Sequence, residues 1–405
     1  MALLHPFRAL RPVPGRVHEV ACVPYDVVDG DEARALAAGK PFSFLHVIRP
    51  EIDLPVGVDE HADEVYRRGA ENLEAFAGSD AAVREDEPSL YVYRLIMDGR
   101  SQTGIFSCVA VRDYDEELIL KHEKTRPVKE EDRMRHILAQ RAHAEPVMLI
   151  YRRKEAVDGI LKSEMEARPL YDFTADDGVR HTIWRIERAD DLVGAFRDVE
   201  PLYVADGHHR CQAASRAAAE LRESAAEGSR EAEYFPAVLF PMNEMRILAY
   251  NRVVYELPVT PAAFVDALAA RLDLAVDSGQ KVPDRPGVVC LYADGAWHTL
   301  TLSDIGGDSI VDELDVARLS EQLLEPELGI GDPRRDPNLD FVGGLRGTDE
   351  LERLVDEGRA ELAISMYPTS AEELVAVSDA GKLMPPKSTW FEPKLRSGLL
   401  VHRFD

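Results

Sequence analysis

One junction constrains the fold more than any other stretch of the chain: a short apolar run, five polar residues and then an alanine-rich segment. The apolar run covers residues 202–205 and is typical of a buried strand, whereas residues 211–223 favour a helix. Between them lie Asp206, Gly207, His208, His209 and Arg210. The polar residues are therefore predicted at the point where a strand leads into a helix N-terminus.

Such a junction is suited to binding an anion. Helix N-termini present unpaired N–H groups and the positive end of the helix dipole, and arginine can contact a phosphate through two hydrogen bonds. Gly207 would let the backbone approach a ligand closely. A simple Asp-Gly turn with capping histidines would also account for part of the motif, but a turn needs only its first two residues. We therefore expect a phosphorylated ligand at Asp206, Gly207, His208, His209 and Arg210.

A second candidate site lies in the densely charged residues 121–133. His122 and Glu123 offer a general acid/base pair, and Arg126 offers a cation for phosphate. A solvated, charged helix start explains the same composition equally well. The sequence leaves both interpretations open, and it predicts a helix over residues 134–141.

Two further groups are candidates for ligand binding. Lys387, Ser388 and Thr389 can donate to phosphate or carboxylate, although the two prolines before them exclude a P-loop and a proline-bounded structural loop is the alternative. Residues 41–50 are predicted to form a buried strand that carries His46, with Arg49 at its end, where loops commonly hold functional residues. His46 and Arg49 are the candidate substrate-binding residues.

Length and charge limit the classes of function. A chain of 405 residues is expected to form two or three domains. We predict an N-terminal half of residues 1–195 and a C-terminal half of residues 196–405 that carries the DGHHR motif. The formal charge of −26 opposes binding to nucleic acid and to anionic membranes. A small anionic ligand stays compatible with this charge, because local Arg and Lys clusters or a bound Mg²⁺ reverse the potential within a cleft.

The four cysteines are widely spaced and form no C-x-x-C pair, so neither a zinc knuckle nor a disulfide framework is expected. No segment approaches the roughly 20 apolar residues of a membrane span, and the N-terminal residues lack the apolar core of a signal peptide. The sequence thus predicts a cytoplasmic protein. It specifies neither an oligomeric state nor a set of protein metal ligands.

Several motifs in fixed order resemble a widespread prokaryotic family of unknown function whose members are often labelled ParB-like. The motifs are PYDVV from residue 24, SFLHVIRPE from 43, KHEKTRP from 121, RHTIWRI from 180, YVADGHHR from 203 and PPKSTWFEPKLRSGL from 385. The DGHHR motif is more distantly similar to the phosphate-binding box of the ParB/sulfiredoxin superfamily, which includes a free L-serine kinase. The resemblance implies an α+β fold, mixed α/β, with a ParB/sulfiredoxin-like core and two intertwined halves.

The resemblance also implies roles for the candidate residues. The Gly207–Arg210 box would contact ATP, ADP or CTP with Mg²⁺, and Asp206 would orient His208 or carry Mg²⁺ through water. Glu123 or Asp26 would act as general base, with His122 and His209 as further catalytic candidates. Charge neutralisation would fall to Arg126, Arg133 and Lys387.

These roles describe a nucleotide-dependent phosphotransferase acting on a small hydroxylated metabolite, with free L-serine as a candidate acceptor. A phosphoserine phosphatase is the first alternative, with His208 or His209 protonating the leaving oxygen. A nucleotide-binding regulator without turnover is the second. Sulfiredoxin chemistry is disfavoured because two histidines occupy the middle of the box, where that enzyme carries its reactive cysteine. ParB-type DNA binding is disfavoured by the net charge.

Overall fold

The computed structural model describes residues 3–224 and 230–404. It divides the chain into two compact units, the first comprising Met1–Met245 with Pro393–Asp405 and the second comprising Arg246–Glu392. The sequence-based division at residue 195 does not coincide with this one. Strands from both sides of residue 195 pair in one sheet of the first unit, and the last residues of the chain return to that unit.

The strands of the described residues are, in chain order, β1 Leu10–Pro12, β2 Ala82–Arg84, β3 Tyr91–Met97, β4 Arg100–Ala110, β5 Ile119–Leu120, β6 Ala142–His143, β7 Val147–Tyr151, β8 Tyr171–Thr174, β9 Arg180–Arg185, β10 Leu202–Asp206, β11 Tyr234–Pro241, β12 Arg246–Leu248, β13 Tyr250–Val254, β14 Leu274–Ala275, β15 Val288–Ala293, β16 Ala296–Thr301, β17 Leu339–Gly343, β18 Leu362–Ser365, β19 Trp390–Glu392 and β20 His402–Arg403.

The α-helices are α1 Val17–Val20, α2 Gly30–Ala37, α3 Leu45–Ile48, α4 Asp63–Ala77, α5 Val111–Asp115, α6 Pro127–Gln140, α7 Glu155–Glu164, α8 Ala189–Phe196, α9 His208–Glu223, α10 Pro261–Ala269, α11 Asp315–Leu319, α12 Glu325–Leu328, α13 Gly347–Asp356 and α14 Ala371–Asp379. A π-helical turn, Ser320–Leu324, joins α11 to α12. A short 3₁₀ helix, Tyr25–Val27, lies between α1 and α2. Among the described residues, no helix is both long and apolar enough to cross a membrane.

The first unit is built on an eight-stranded mixed sheet in the order β5-β10-β7-β11-β4-β3-β9-β8. β10 lies between β5, to which it is parallel, and β7, to which it is antiparallel. Its apolar residues Leu202 and Val204 are fully buried in the core of this unit. Burial on this scale anchors the strand, so the position of its last residue, Asp206, is fixed by the sheet.

Helix α9 follows β10 directly and packs against α6. Its side of the contact includes Ala213, Ala217 and Leu221, and the α6 side includes Met134 and Ile137. Alanines allow the two helix backbones to come close, and they are also the strongest helix formers. The alanine-rich sequence therefore explains both the helix and its packing.

The second unit contains an antiparallel six-stranded sheet in the order β14-β16-β15-β18-β13-β17. Its core includes Val253, Cys290 and Ala363 of the sheet and Leu351 of α13. With helices and sheets in both units, the predicted mixed α+β class is confirmed.

Of two local predictions, a hairpin is confirmed and a strand is wrong. The Asp98-Gly99-Arg100 turn between two apolar runs predicts a hairpin, which is confirmed as β3 and β4; Asp98 and Gly99 both have positive φ values, of 52° and 76°. The predicted strand over residues 41–50 is wrong. Its apolar residues form the short helix α3 followed by a 3₁₀ turn, so His46 lies on a helix and Arg49 follows a helix, not a strand.

Candidate functional site

The predicted strand-to-helix junction is present, with the helix beginning at His208, three residues earlier than expected. Gly207 stands between the two elements with a φ of +103°, in the region that favours glycine. A Cβ atom at this position would lie 3.0 Å from Cγ1 of Val147. Backbone conformation and the crowding by β7 both therefore call for glycine here.

The start of α9 carries no side-chain cap. The N–H of Cys211 donates to the carbonyl of Gly207 at 2.9 Å, so the N–H groups of His208, His209 and Arg210 come before the first intrahelical bond. Uncapped N–H groups and the positive end of a 16-residue helix make this position favourable for an anion.

Two cations hold Asp206 at the end of β10. Lys394 Nζ lies 3.1 Å from one carboxylate oxygen, and Arg210 Nη2 lies 3.8 Å from the other. Burial alone would raise the pKa of this carboxyl group, but Lys394 and Arg210 outweigh burial and hold the pKa well below its ordinary value. Asp206 is therefore ionised at neutral pH. Sequence reasoning missed Lys394, although it lies within the motif quoted from residue 385.

Arg210 is buried, and its guanidinium donates to the carbonyl of Pro146. Burial alone would lower its pKa, but the carboxylates of Asp26, Asp206 and Glu145 raise it. Glu145 is buried as well and accepts hydrogen bonds from the backbone N–H of Tyr25 at 3.1 Å and from Ser397 Oγ at 3.0 Å. Its pKa is raised by burial, an effect that Arg210 and Arg133 partly offset. The junction therefore rests on a buried charge network.

Arg133 belongs to the same network. Its Nη2 lies 2.7 Å from Asp132 and its Nη1 lies 3.8 Å from Glu145, while its guanidinium stacks 4.0 Å from the ring centroid of Tyr25. Only 8% of the residue is exposed. Arg133 thus neutralises carboxylates of the protein, and its contacts are those of a supporting residue.

Residues 121–133, the second candidate site, contact the first candidate site at the start of α9. The backbone N–H of His122 donates to His208 Nε2 at 3.4 Å, and the two rings meet edge to face with centroids 4.3 Å apart. The backbone N–H of Arg126 donates to His209 Nε2 at 3.1 Å. Segments more than 80 residues apart therefore form one cluster. Burial lowers the pKa of both His122 and His209 to about 4, which keeps these imidazoles neutral at pH 7.

Asp26 and Glu123 add carboxylates to this cluster. Asp26 is exposed on the 3₁₀ helix after α1, and its charge raises the pKa of Arg210 and acts on His209. Glu123 is half-buried and offers an oxygen within 4.8 Å of ring nitrogens of His122 and His208. Both candidate bases therefore lie beside the N-terminus of α9.

The candidate substrate-binding residues His46 and Arg49 each pair with a carboxylate of the protein. His46 Nδ1 lies 2.8 Å from Asp53, in a surface pocket that Lys40 and Arg34 also line. Arg49 pairs with Glu51 at 2.8 Å. Their role in binding a substrate stays a prediction.

Lys387, Ser388 and Thr389 lie in the second unit. Ser388 Oγ donates to the carbonyl of Pro385 at 2.7 Å, and Lys387 Nζ lies 5.2 Å from the ring centroid of Tyr250. Ser388 is buried and Lys387 is exposed. These contacts are those of an ordered loop, and the proposed phosphate contacts of the three residues stay a prediction.

Comparison with known proteins identifies the family. The model of a family described as "Protein of unknown function (DUF1015)" matches residues 4–317, which is more than half of the chain. The chain belongs to this family. The resemblance to a family of unknown function is thereby confirmed, while the relation of DUF1015 to the ParB/sulfiredoxin superfamily stays an expectation. No match was found among curated proteins.

The solved structures that match this DUF1015 chain are only distantly similar to it. A free serine kinase in complex with AMP is 13% identical, with a TM-score of 0.36, covering 73% of this chain and 92% of its own. SbnI with a C-terminal truncation from Staphylococcus aureus is 13% identical, with a TM-score of 0.39, covering 73% and 87%. A conserved hypothetical protein from Pyrococcus furiosus is 14% identical, with a TM-score of 0.35, covering 73% and 95%. Likenesses this weak carry no argument about activity.

Proposed function

We propose that the protein is a nucleotide-dependent phosphotransferase acting on a small hydroxylated metabolite. One observation supports this most: the uncapped N-terminus of α9 has an exposed cation, Arg126, and two carboxylates, Asp26 and Glu123, around it. Phosphoryl transfer depends mainly on positioning and on electrostatic stabilisation of phosphate oxygens, with a carboxylate to receive the hydroxyl proton. The cluster contains each of these parts.

The free N–H groups of α9 would bind phosphate oxygens of ATP or ADP. Arg126 is the cation best placed to add to them, because its side chain is exposed and its backbone contacts His209. Arg210 and Lys394 are occupied by Asp206 and by buried groups, so they hold the junction in shape. Mg²⁺ would arrive with the nucleotide and neutralise charge on its phosphates.

In the reaction, the hydroxyl oxygen of the acceptor would form a bond to the terminal phosphorus while the bond from that phosphorus to the nucleotide oxygen breaks. The hydroxyl proton would pass to Asp26 or Glu123. We propose L-serine as the first acceptor to test, because the DGHHR motif resembles the phosphate-binding box of a superfamily that includes a free L-serine kinase. His209 is neutral at pH 7, and its Nε2 accepts a hydrogen bond from the Arg126 N–H, so its proton lies on Nδ1, which would donate a hydrogen bond near the phosphate.

Replacement of Arg126 by alanine is expected to weaken binding of ADP with Mg²⁺ by about 10- to 100-fold, because a charge-assisted hydrogen bond contributes about 1.5–3 kcal/mol. Isothermal titration calorimetry on the full chain measures the change. The difference from wild type should shrink as salt is added, since the Arg126 side chain is exposed.

The matched control is Arg67→Ala, which removes an exposed arginine paired with Glu71 on α4 and changes the net charge by the same amount. It should leave ADP affinity unchanged. Equal affinity of the wild type and the Arg126 variant would contradict the assignment of Arg126 to phosphate, and absence of ADP, ATP and CTP binding would contradict a nucleotide site.

A further inference from the structure

The cluster at the start of α9 also brings together three side chains of the types that bind metal ions. His122, Glu123 and His208 each offer one donor atom, and these three atoms lie within 4.8 Å of one another. The first two follow β5 in the chain, and the third is the first residue of α9. Both imidazoles are buried, with exposures of 2% and 5%, so they are held by packing from more than one element.

The donor set indicates which kind of ion would bind. Mg²⁺ prefers oxygen ligands in octahedral geometry and keeps several waters, so two imidazoles are a poor fit for it. Imidazole nitrogens with a carboxylate oxygen suit Zn²⁺ and neighbouring transition metals, and a site with two His and one Glu keeps a fourth position open for water or substrate. Mg²⁺ bound to a nucleotide would therefore be a different ion from one bound here.

The two histidines have a backbone hydrogen-bond partner and neighbouring charges of both signs. The backbone carbonyl of Val204 forms a hydrogen bond with the His122 imidazole, the kind of contact that orients a metal-binding histidine. The Asp206 carboxylate acts electrostatically on both histidines. Lys121 acts in the opposite sense on His208, and its ammonium group stacks 4.1 Å from the ring centroid of Tyr114.

To bind one metal ion, the three donor atoms need to come only slightly closer together. Ligand atoms around a tetrahedral zinc ion with bonds of about 2.1 Å stand about 3.4 Å apart, so rotation of the three side chains would bring them into place. The contact from the His122 N–H to His208 Nε2, at 3.4 Å, is longer than the usual 2.9–3.0 Å, and a metal ion on this nitrogen would replace it.

We propose that His122, Glu123 and His208 bind one divalent transition-metal ion, with Zn²⁺ as its probe. Metal binding at this site can be tested separately from the phosphotransferase activity, because the measurement needs neither nucleotide nor acceptor. A metal at this position would occupy Glu123 and leave Asp26 as the base for the acceptor hydroxyl.

The test is equilibrium dialysis of the chelator-treated full chain against Zn²⁺, followed by Co²⁺ substitution and its visible spectrum. We expect one ion per chain and an absorption band typical of tetrahedral Co²⁺. Glu123→Gln and His208→Gln should each lower Zn²⁺ affinity by about tenfold or more, since even loss of a residue that only supports a ligand costs 10- to 100-fold. Circular dichroism should show both variants folded.

His209→Gln is the matched control, because His209 is the next residue of the same helix and lies outside the three-ligand cluster. It should retain wild-type Zn²⁺ affinity. If His208→Gln fails to fold, the half-buried Glu123 decides the question. No Zn²⁺ bound to wild type, or equal affinity in wild type and Glu123→Gln, would overturn the proposal.

Discussion

Replacement of Arg210 by alanine is expected to lower the free energy of unfolding by about 3–5 kcal/mol, as is typical when one partner of a buried ion pair is removed. Arg210 is 9% exposed and balances the carboxylates of Asp206, Glu145 and Asp26. Its loss would also leave the carbonyl of Pro146 without that donor. Urea unfolding followed by circular dichroism measures the change.

Arg216→Ala on the same helix is the control. Arg216 is about one-third exposed and pairs with Glu130 and Glu131 near the surface, so its loss should cost less than about 1 kcal/mol. Adding Glu145→Gln to Arg210→Ala should restore part of the lost stability, because it removes a buried charge that Arg210 balanced. An Arg210 variant as stable as the Arg216 variant would show that the buried network does not hold the junction together.

Replacement of Asp26 by asparagine is expected to reduce kcat by about 10²- to 10⁴-fold, the usual contribution of a general base. Asp26 is the exposed carboxylate beside His209 and Arg210, so an acceptor hydroxyl can reach it. Asparagine keeps the shape of the side chain but cannot take the proton. Steady-state kinetics with nucleotide, Mg²⁺ and L-serine gives kcat and KM, and binding of ADP should change little.

Asp31→Asn serves as the control, since Asp31 is an exposed carboxylate in the first turn of the nearby helix α2. Its kcat should equal that of the wild type. If Asp26→Asn retains full kcat while Glu123→Gln loses it, Glu123 is the base and the assignment to Asp26 is wrong. A parallel fall in stability of the Asp26 variant would indicate a structural role.

The core of the candidate site could be predicted from sequence because its signals are local. Residues 202–205 are continuous and apolar, the following segment is rich in alanine, and the polar residues between them must then lie at the junction. The sequence carries no local signal that joins this junction to residues 121–126, although both segments contain groups suited to binding phosphate. The structure shows the contact, through His122 with His208 and Arg126 with His209.

Other features left no local signal. The pairing of Lys394 with Asp206 joins residues 188 positions apart, and the hydrogen bond from Tyr25 to Glu145 spans 120 positions. The strand expected at residues 41–50 was wrong because short apolar runs fit a strand and a buried helix equally well. Helix α3 packs on α4, and this tertiary contact decides between the two. Helix α6 begins at Pro127, seven residues earlier than expected, because proline is favourable in the first turn of a helix.

The most direct test of phosphotransferase activity is phosphorus NMR of the purified full chain with Mg²⁺, L-serine and, in separate tubes, ATP, ADP or CTP. A parallel tube holds phosphoserine without nucleotide. We predict a phosphoserine signal that grows only when a nucleotide is present and that is lost in the Asp26→Asn variant. Free phosphate released from phosphoserine alone, or unchanged spectra in every tube, would contradict it.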